Sequence, residues 1–482
     1  MAKIKFGTDG WRAVIAEDFT FENLGNVAGA IALYLKNNNF ADKGVFIGYD
    51  NRFLSEDFAL HCAKVLASCG IKPFVSSVSV PTPLTAFMAI NLKLGGSIML
   101  TASHNPAKYN GIKFITHYGG PAGDNITSEI EANLQKILDK GSIKKIELSN
   151  ESIPVQVEIV SDFDSYKIKL IESVDLDLIK KAAPEIALDT MNGAGSIIMP
   201  EILTGTLNLK PLILNNSRDA LFGGKLPDPS EKNLKQLYGT IISKKLDLGL
   251  ALDGDADRFG AIDGKGAYIS PNNAIALILH YFIERKRHSG ADIAVRTVAT
   301  THLIDSICIS AGIKAMETPV GFKYIAQKML EGNVLIGGEE SGGLSIKGHI
   351  PEKDGLLANL LLLEIQSYLK IYRNSMYLSE YLGQIYEKHG RYYNVRLDIE
   401  VEPDKKNSII DYFRNLSGGK ISSKKVIKVI TIDGAKVLLE DGSWVLVRAS
   451  GTEPLIRCYI ESIDKEYFKD LQSSARKIIS GI

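Results

Sequence analysis

A serine in the first quarter of the chain has the setting of a reactive residue. Ser103 lies in the stretch Thr-Ala-Ser-His-Asn-Pro and follows the apolar run 96–100, which we interpret as a buried strand. Pro106 cannot donate to a sheet and disfavours helical geometry at the residue before it, so the strand should end in a tight, defined loop. His104 adds a group that can move a proton near neutral pH. The loop could therefore present a nucleophilic hydroxyl beside a proton carrier.

Two other interpretations of this stretch are open. Serine and an Asn-Pro pair are also common in plain polar turns. A serine hydrolase is disfavoured, because Ser103 has no Gly-x-Ser-x-Gly elbow around it and nothing in the sequence supplies the rest of a triad. The rest of the chain has to decide between a turn and a reactive loop.

Three carboxylates lie within five residues, directly after a second apolar run that predicts a strand. They belong to Asp253, Asp255 and Asp257. Extended, alternate residues are about 6.6 Å apart, so the loop must curl to bring the carboxylates together. Converged carboxylates repel by roughly 4 kcal/mol per pair at about 4 Å and an effective dielectric of about 20, a cost that a divalent cation removes. Three oxygens with open positions suit Mg²⁺, whereas Arg258 and Gly264 stand where an EF-hand needs Gly and Glu. The alternative is a solvated acidic turn.

Two further loops have the chemistry of ligand sites. The stretch 338–342 reads Gly-Glu-Glu-Ser-Gly, and its carboxylates and hydroxyl suit the hydroxyl edge of a sugar better than a metal. In the last part of the chain, hydroxyls, backbone amides and guanidinium groups could cradle a phosphate. These phosphate-binding candidates are Arg448, Ser450, Gly451, Thr452 and Arg457. Each loop could instead be a charged turn or the polar end of a hairpin. Together, a serine, a metal site, a sugar site and a phosphate site predict a cleft that moves a phosphoryl group on a sugar phosphate.

Composition excludes several classes of protein. Lys plus Arg and Asp plus Glu both number 56, and this balance argues against a nucleic-acid or membrane-surface partner. The four cysteines form no C-x-x-C pair, and their spacing suits neither a zinc site nor a disulfide framework. The N-terminal stretch has no apolar region of the kind a secretory signal carries, and the most apolar run, 356–363, is too short to span a bilayer. We expect a reduced, cytoplasmic protein.

Alternating strand and helix patterns position these loops. A chain of 482 residues should fold into about three or four domains. Strands and helices alternate in three successive rounds, each with a polar, glycine-containing loop at a strand end, which predicts a repeated α/β domain with a parallel, doubly wound sheet. Ligand chemistry in such sheets lies at the carboxyl ends of strands. Lys113 should lie on the strand beside Ser103, and Ser128 with Glu131 suggests a capping box for the next helix.

The sequence pattern changes in the last quarter of the chain. Residues 425–447 alternate over a meander with two Asp-Gly turns, which predicts an antiparallel α+β domain of a different fold. The fold class is thus α/β, with three similar domains that have mixed or parallel sheets and a fourth α+β domain. The predicted domains are 1–150, 151–260, 261–385 and 386–482.

These loops, in this order, resemble those of the α-D-phosphohexomutase superfamily, the phosphoglucomutases and phosphomannomutases. The resemblance covers the whole chain. Residues 101–106 match the family's phosphoserine loop, 253–258 its metal loop, 338–342 its sugar loop and 448–454 its phosphate loop. One departure is Trp11-Arg12-Ala13, where many relatives have a smaller apolar residue and Gly. The resemblance implies a heart-shaped, four-domain enzyme that interconverts hexose 1- and 6-phosphates.

The resemblance also implies residue roles. Ser103 would carry a phosphoryl group, donate it to the substrate to form a hexose 1,6-bisphosphate, and take back the other phosphate. Mg²⁺ would be held by Asp253, Asp255, Asp257 and an oxygen on Ser103, and the bisphosphate would also serve as activator. The candidates for proton transfer and charge near the serine are Arg12, His104, Lys113 and Lys323, with the general base left open. The substrate-binding residues would be Arg258, Thr318, Gly321, Glu339, Ser341 and His349.

The substrate is the least determined part of this expectation. The Glu-Glu-Ser sugar loop resembles those of glucose and mannose mutases, whereas phosphoglucosamine mutases usually carry Glu-Gln-Ser. Glucose is the first candidate and mannose the second. The alternatives are a phosphoglucosamine mutase and a catalytically silent sugar-phosphate sensor. We expect small sugar phosphates as partners and a monomer or dimer.

Overall fold

The first sheet carries the serine loop at its centre. The computed structural model describes residues 4–6, 10–141, 156–450 and 454–482. The six strands lie in the order β1-β5-β4-β2-β3-β6. Their bounds are β1 Trp11–Val14, β2 Val45–Tyr49, β3 Pro73–Ser76, β4 Gly96–Leu100, β5 Tyr109–Thr116 and β6 Glu158–Val160. The helices of this part are α1 Phe21–Asn37, α2 Ser55–Ser68, α3 Thr82–Asn91 and α4 Asp124–Asp139.

This sheet is mixed, which is one of the two arrangements that the sequence predicted. Strand β5 runs antiparallel to both of its neighbours, β1 and β4, while the other pairs are parallel. The reason is the length of the serine loop. A parallel pair needs a crossover of about a dozen residues or more, and residues 101–108 can close only a hairpin.

The second and third sheets repeat this plan. Their strand orders are β11-β10-β9-β7-β8 and β13-β12-β14-β15. The strands are β7 Ile186–Asp189, β8 Leu212–Leu214, β9 Leu248–Leu252, β10 Phe259–Asp263, β11 Tyr268–Ile269, β12 Ile293–Thr297, β13 Lys314–Thr318, β14 Val334–Gly338 and β15 Leu344–Ile346. The aspartate loop is the hairpin between β9 and β10, and the loop of Glu339 is the hairpin between β14 and β15. Each chemistry-bearing loop therefore joins a strand of the parallel core to an antiparallel neighbour.

Nine helices among the described residues belong to these two domains. They are α5 Asp164–Ile171, α6 Leu176–Ala182, α7 Ile198–Glu201, α8 Lys235–Lys244, α9 Pro271–Glu284, α10 Leu303–Ala311, α11 Phe322–Glu331, α12 Gly355–Tyr372 and α13 Leu378–His389. The apolar run 356–363 lies in α12 and is buried, and α12 packs on α6, β9 and β10. Its one polar member, Asn359, donates to the carbonyl of Ala251 at 3.0 Å, which makes a buried amide tolerable there. No helix within the described ranges is long and apolar enough to cross a membrane.

The fourth domain is a fully antiparallel sheet, as the alternating pattern predicted. Its order is β16-β21-β20-β19-β18-β17. The elements are β16 Tyr393–Glu400, α14 Lys405–Arg414, β17 Lys420–Ile421, β18 Lys424–Ile430, β19 Ala435–Leu439, β20 Trp444–Ala449, β21 Leu455–Ser462 and α15 Lys465–Gly481. The two helices pack on one face of the sheet around a core of their own. The fold class predicted from the sequence is confirmed.

Candidate active site

The serine and the aspartate loop meet across two domains. Ser103 is buried and adopts a left-handed backbone conformation, with φ of 50°. Its Oγ donates a hydrogen bond to Asp253 Oδ2 at 3.0 Å and lies 3.2 Å from His104 Nδ1. A left-handed conformation is unusual for a residue with a side chain and has to be enforced by its surroundings. The loop is therefore built to hold this hydroxyl against the carboxylate.

Arg52 enforces that conformation, and sequence reasoning missed it. Its guanidinium is buried and donates to four backbone carbonyls of the serine loop, those of Ser103 at 2.5 Å, Asn105 at 2.7 Å, Pro106 at 2.9 Å and Tyr109 at 2.9 Å. Its Nε also donates to Asp50 Oδ2 at 3.1 Å, and Thr101 donates to the same oxygen at 2.6 Å. The signal for Arg52 is its place after strand β2, which is the neighbour of β4.

The three aspartates converge as predicted. All three are buried, and each offers a carboxylate oxygen within 4.8 Å of the others. The loop curls because Ala256 adopts φ of 57° and the backbone N–H of Arg258 donates to Asp253 Oδ1 at 3.0 Å. Burial, and next the charges of its two neighbours, hold the pKa of Asp253 well above its ordinary value. Clustered buried carboxylates of this kind require positive charge.

Two lysines supply part of that charge. The ammonium of Lys113 bonds Asp255 Oδ2 at 2.9 Å and Asp257 Oδ2 at 3.1 Å, and Lys353 lies 3.0 Å from the same oxygen of Asp257. Lys113 was predicted on the strand beside Ser103, and that placement is confirmed. Lys353 was missed as a site residue, although its position after the sugar loop puts it on the same edge of the sheets.

The aspartate set fits a divalent cation. Asp257 Oδ1 is buried and accepts no hydrogen bond from the described residues, so it is available as a ligand atom. The donor set is three carboxylates with the Ser103 hydroxyl beside them, which are the hard oxygen ligands that Mg²⁺ prefers. Asp253, Asp255 and Asp257 would hold the ion, which would withdraw charge from an oxygen on Ser103.

Positive groups surround the serine on its other sides. Arg12 donates to Asn105 Oδ1 at 2.8 Å and so lies against the serine loop. The pKa of His104 is held well below its ordinary value. The largest cause is the charge of Arg258, followed by burial and then by the charge of Arg12. The imidazole is therefore neutral at neutral pH, and its free electron pair could accept a proton.

Lys323 belongs to a different part of the cleft. Its ammonium bonds Asp124 Oδ1 at 2.5 Å and ties the first turn of α11 to the first turn of α4. This contact joins the first and third domains and lowers the pKa of Asp124. The predicted capping box at Ser128 was wrong, since Ser128 lies inside helix α4 and the Glu131 carboxylate accepts the backbone N–H of Phe6 at 2.7 Å. Helix α4 begins one turn earlier, with Gly123 at its cap, where the Asp124 carboxylate meets the lysine.

The sugar loop is anchored by its own backbone neighbours. Glu339 is buried and accepts the backbone N–H of Gly321 at 3.0 Å, so these two predicted residues meet. Burial, and next the charge of Glu340, raises the pKa of Glu339 to about 7. Ser341 lies half-buried two residues further on. Glu340, which sequence reasoning left without a role, accepts hydrogen bonds from Thr297 at 2.9 Å and Thr300 at 3.2 Å.

Two predicted substrate residues have structural contacts. His349 has a fully buried side chain, and its Nε2 lies 2.8 Å from Asp354 Oδ2, which also accepts from Tyr166. The ring therefore braces the start of α12. Thr318 ends β13, and its hydroxyl donates to the carbonyl of Pro319 at 3.1 Å. Substrate binding by these two side chains stays a prediction.

The phosphate loop lies partly outside the described residues, and the predicted Gly451 and Thr452 fall there. Arg448 and Arg457 are cross-strand partners on β20 and β21, which brings two guanidinium groups together. Arg448 also pairs with Asp433 at 2.8 Å. Asp433 accepts the backbone N–H of Val320 at 2.9 Å, so the fourth domain touches the loop that bonds Glu339.

Ser450 is buried, and its backbone is held on both sides. Its N–H donates to the carbonyl of Leu455 at 3.0 Å, and its carbonyl accepts from Lys406 at 3.0 Å. Lys406 was not foreseen. Ser103, the three aspartates, Lys113 and His104 thus form one connected group, while the sugar and phosphate loops meet at the junction of the third and fourth domains.

Comparison with known proteins matches four segments of the chain to one family. Sequence profiles of phosphoglucomutase/phosphomannomutase match four segments in order, the alpha/beta/alpha domains I, II and III at residues 3–140, 164–266 and 270–389 and the C-terminal domain at 413–478. The chain belongs to this family. It is therefore a member of the α-D-phosphohexomutase superfamily and an enzyme of the mutase class.

Individual relatives of the phosphohexomutase span its whole length. A phosphoglucomutase/phosphomannomutase of Thermococcus kodakarensis is 31% identical over 98% of each chain. A phosphoglucosamine/phosphogalactosamine mutase of Sulfurisphaera tokodaii is 28% identical over 99% of each. The crystal structure of a Thermus thermophilus protein described as a phosphomannomutase superposes with a TM-score of 0.84 at 31% identity, covering 100% of both chains. The relatives agree on the reaction class and differ in the named sugar.

Proposed function

We propose that this phosphohexomutase interconverts hexose 1-phosphate and hexose 6-phosphate through a phosphorylated Ser103, with glucose as the first substrate and mannose as the second. The hydrogen bond of 3.0 Å from Ser103 Oγ to Asp253 Oδ2 carries this proposal, since the hydroxyl lies beside the three aspartates that would hold Mg²⁺. The relatives described as phosphomannomutases support mannose as a substrate in addition to glucose.

The residues around the serine support a phosphoryl transfer. The P–O bond to Ser103 Oγ breaks as the phosphorus bonds the free hydroxyl oxygen of the sugar phosphate, and the proton of that hydroxyl leaves to a base. The product is a hexose 1,6-bisphosphate, whose other phosphoryl group returns to Ser103 when the sugar has turned. Such transfers depend on positioning and charge neutralisation, which Arg12, Lys113 and Arg258 provide here. Mg²⁺ held by the three aspartates would add charge withdrawal at the oxygen on Ser103.

Three further groups have places in this scheme. His104 Nδ1 lies 3.2 Å from Ser103 Oγ and is a candidate base, together with Lys113 and Arg12. Glu339 and Ser341 would hold sugar hydroxyls. Arg448, Ser450 and Arg457 would hold the phosphate that is not reacting, while bisphosphate released from the cleft would act as activator by rephosphorylating Ser103.

The first test is Ser103→Ala in an assay that converts glucose 1-phosphate to glucose 6-phosphate. We expect activity to fall by at least about 10³-fold, because the acceptor of the phosphoryl group is gone. Mass spectrometry should find one phosphoryl group on Ser103 of the wild type. Ser243→Ala, on the exposed face of α8, is the control and should keep full activity. Full activity in Ser103→Ala would reject the nucleophile.

A second candidate is a phosphoglucosamine mutase, which the Sulfurisphaera tokodaii relative favours. Rates on glucose, mannose and glucosamine 1-phosphates, each with and without Mg²⁺, separate the candidates. A faster rate on glucosamine 1-phosphate would replace the proposed substrate. Binding of all three without turnover would indicate a silent sensor. Turnover that does not respond to Mg²⁺ or any other divalent cation would reject the metal site.

A further inference from the structure

A cavity lies among the helices of the third domain. It encloses about 370 Å³ between α9, α10 and α13 and shares no residue with the loops of the candidate active site. Its lining includes Ile283, Glu284, Ile307, Gln384, Lys388 and His389. Pockets that bind small molecules typically measure about 300–1,000 Å³, so the size suits a small ligand.

One wall of the cavity has an unsatisfied polar atom. His389 is 8% exposed, and its Nε2 is buried without a hydrogen-bond partner among the described residues. The ring of His280 lies 5.7 Å away and bonds the Tyr381 hydroxyl through Nδ1 at 2.8 Å. A buried ring nitrogen without a partner costs free energy unless a ligand or water satisfies it. The cavity wall therefore contains a polar group that a ligand could satisfy.

The charges around the cavity favour an anion. The carboxylate of Glu284 already accepts hydrogen bonds from Arg373, Tyr381 and Tyr368. The ammonium of Lys388 is exposed and forms no ion pair within the described ranges. Gln384 lies one helical turn before Lys388 and adds an amide donor on the same face of α13.

We propose that this cavity binds a small organic anion with a carboxylate or phosphate group. The oxyanion would bond Lys388, the Gln384 amide and His389 Nε2, while Ile283 and Ile307 would contact its short carbon skeleton. A hydrogen bond from an ammonium group to a charged acceptor is about twice as strong as one between neutral groups. The proposal goes beyond sugar-phosphate chemistry and does not depend on it.

The cavity is placed to influence the fourth domain. Helix α13 ends at His389, and strand β16 of the fourth domain begins at Tyr393. The His389 carbonyl accepts the Ser306 hydroxyl of α10 at 2.9 Å, so α10 and the end of α13 are already joined there. An anion between these helices would stabilise the connection to the domain that carries Arg448.

The test measures thermal unfolding of the full-length protein with increasing succinate or inorganic phosphate. We expect at least one of these anions to raise the midpoint to a plateau. Lys388→Glu and Gln384→Glu should weaken that binding by about tenfold or more, equivalent to ~1.4 kcal/mol. Both side chains are exposed, so these variants should fold. Lys64→Glu, an equal charge change on the exposed face of α2, is the matched control and should behave as the wild type.

Phosphate can also bind the candidate active site, so the decisive quantity is the part of the shift that Lys388→Glu removes. A response to succinate alone identifies a carboxylate ligand, and one to phosphate alone identifies a phosphate ligand. Equal shifts in Lys388→Glu, Lys64→Glu and the wild type would overturn the proposal, as would the absence of any saturable shift. Neither result depends on mutase activity, so this test fails or succeeds separately from the proposed function.

Discussion

The guanidinium of Arg52 holds the serine loop in a shape that the loop's own residues would not adopt. Four carbonyls accept from it, and Asp50 neutralises it at the other side. Both charged groups are buried. Burial raises the pKa of Asp50 and lowers that of Arg52, because it disfavours both charged forms, and the charge of each partner opposes this effect.

Arg52→Met should lower the free energy of unfolding by about 3–5 kcal/mol, because it leaves the Asp50 carboxylate buried and unpaired. Arg52→Lys should recover part of this stability but little activity, since one ammonium cannot bond four carbonyls and a carboxylate. Chemical denaturation and the mutase assay measure the two effects. Arg218→Met is the control. Its ion pair with Glu56 is half-exposed and should contribute no more than about 1 kcal/mol. Equal losses in Arg52→Met and Arg218→Met would contradict this account.

At the scale of elements, the serine loop and the aspartate loop touch through backbone. A Cβ on Gly254 would lie 2.6 Å from the carbonyl oxygen of Ser103 and 3.1 Å from Pro227. Neither neighbour is the free end of a flexible side chain. Gly254 thus lets two hairpins from different domains approach closely enough for the Ser103 hydroxyl to reach Asp253.

Gly254→Ala should therefore reduce kcat by about 10²-fold, since a displacement near 1 Å at the reacting group has effects of this size. The matched variant is Gly239→Ala in the middle of α8, where no atom lies within 4 Å of the added Cβ. It should stabilise the protein by about 0.5–1 kcal/mol and leave kcat unchanged. Steady-state kinetics and denaturation of both variants check this. Unchanged kcat in Gly254→Ala would show that the loops need not touch.

At the scale of the molecule, a buried lysine joins the third and fourth domains. Lys436 on β19 is fully buried, and its ammonium bonds the Val298 carbonyl at 2.8 Å and Glu317 Oε2 at 2.9 Å. His302 Nε2 lies 2.9 Å from it, and Arg296 shares the Glu317 carboxylate. Burial, and next the charge of Arg296, lowers the pKa of Lys436 to about 8.

This pKa predicts a pH dependence of stability. In the unfolded chain a lysine titrates near 10.4, so between about pH 8 and 10 the unfolded state binds more protons than the folded state. Stability linked to Lys436 must then rise with pH across this window and be constant below it. The total gain should be no more than about 3 kcal/mol, at about 1.4 kcal/mol per unit.

The measurement is the free energy of unfolding of wild type and Lys436→Met from pH 6 to 10. The free energy of unfolding of the wild type minus that of Lys436→Met should increase above pH 8. Lys425→Met, an exposed lysine on the neighbouring strand β18, controls for the titration of surface groups and should show no such change. Parallel curves for wild type and Lys436→Met would mean that the lysine keeps its ordinary pKa.

The sequence by itself predicted a four-part organisation and the strand-end loops that carry Ser103 and the three aspartates. Apolar runs followed by polar, glycine-containing loops are local signals, and residues 101–106 and 253–258 carry them completely. The position of Lys113 could also be predicted from the sequence, because strands that follow one another in sequence tend to be neighbours in a sheet.

Only the tertiary structure decided which groups support those residues. Arg52, Lys353 and Glu340 contact partners 51, 96 and 43 residues away in the sequence, and their positions near strand ends do not by themselves show which groups they contact. The Glu131 carboxylate, predicted to cap α4, likewise accepts the backbone N–H of the distant Phe6 instead. Burial turns such charges into structural and electrostatic determinants, and burial is a property of the folded chain as a whole.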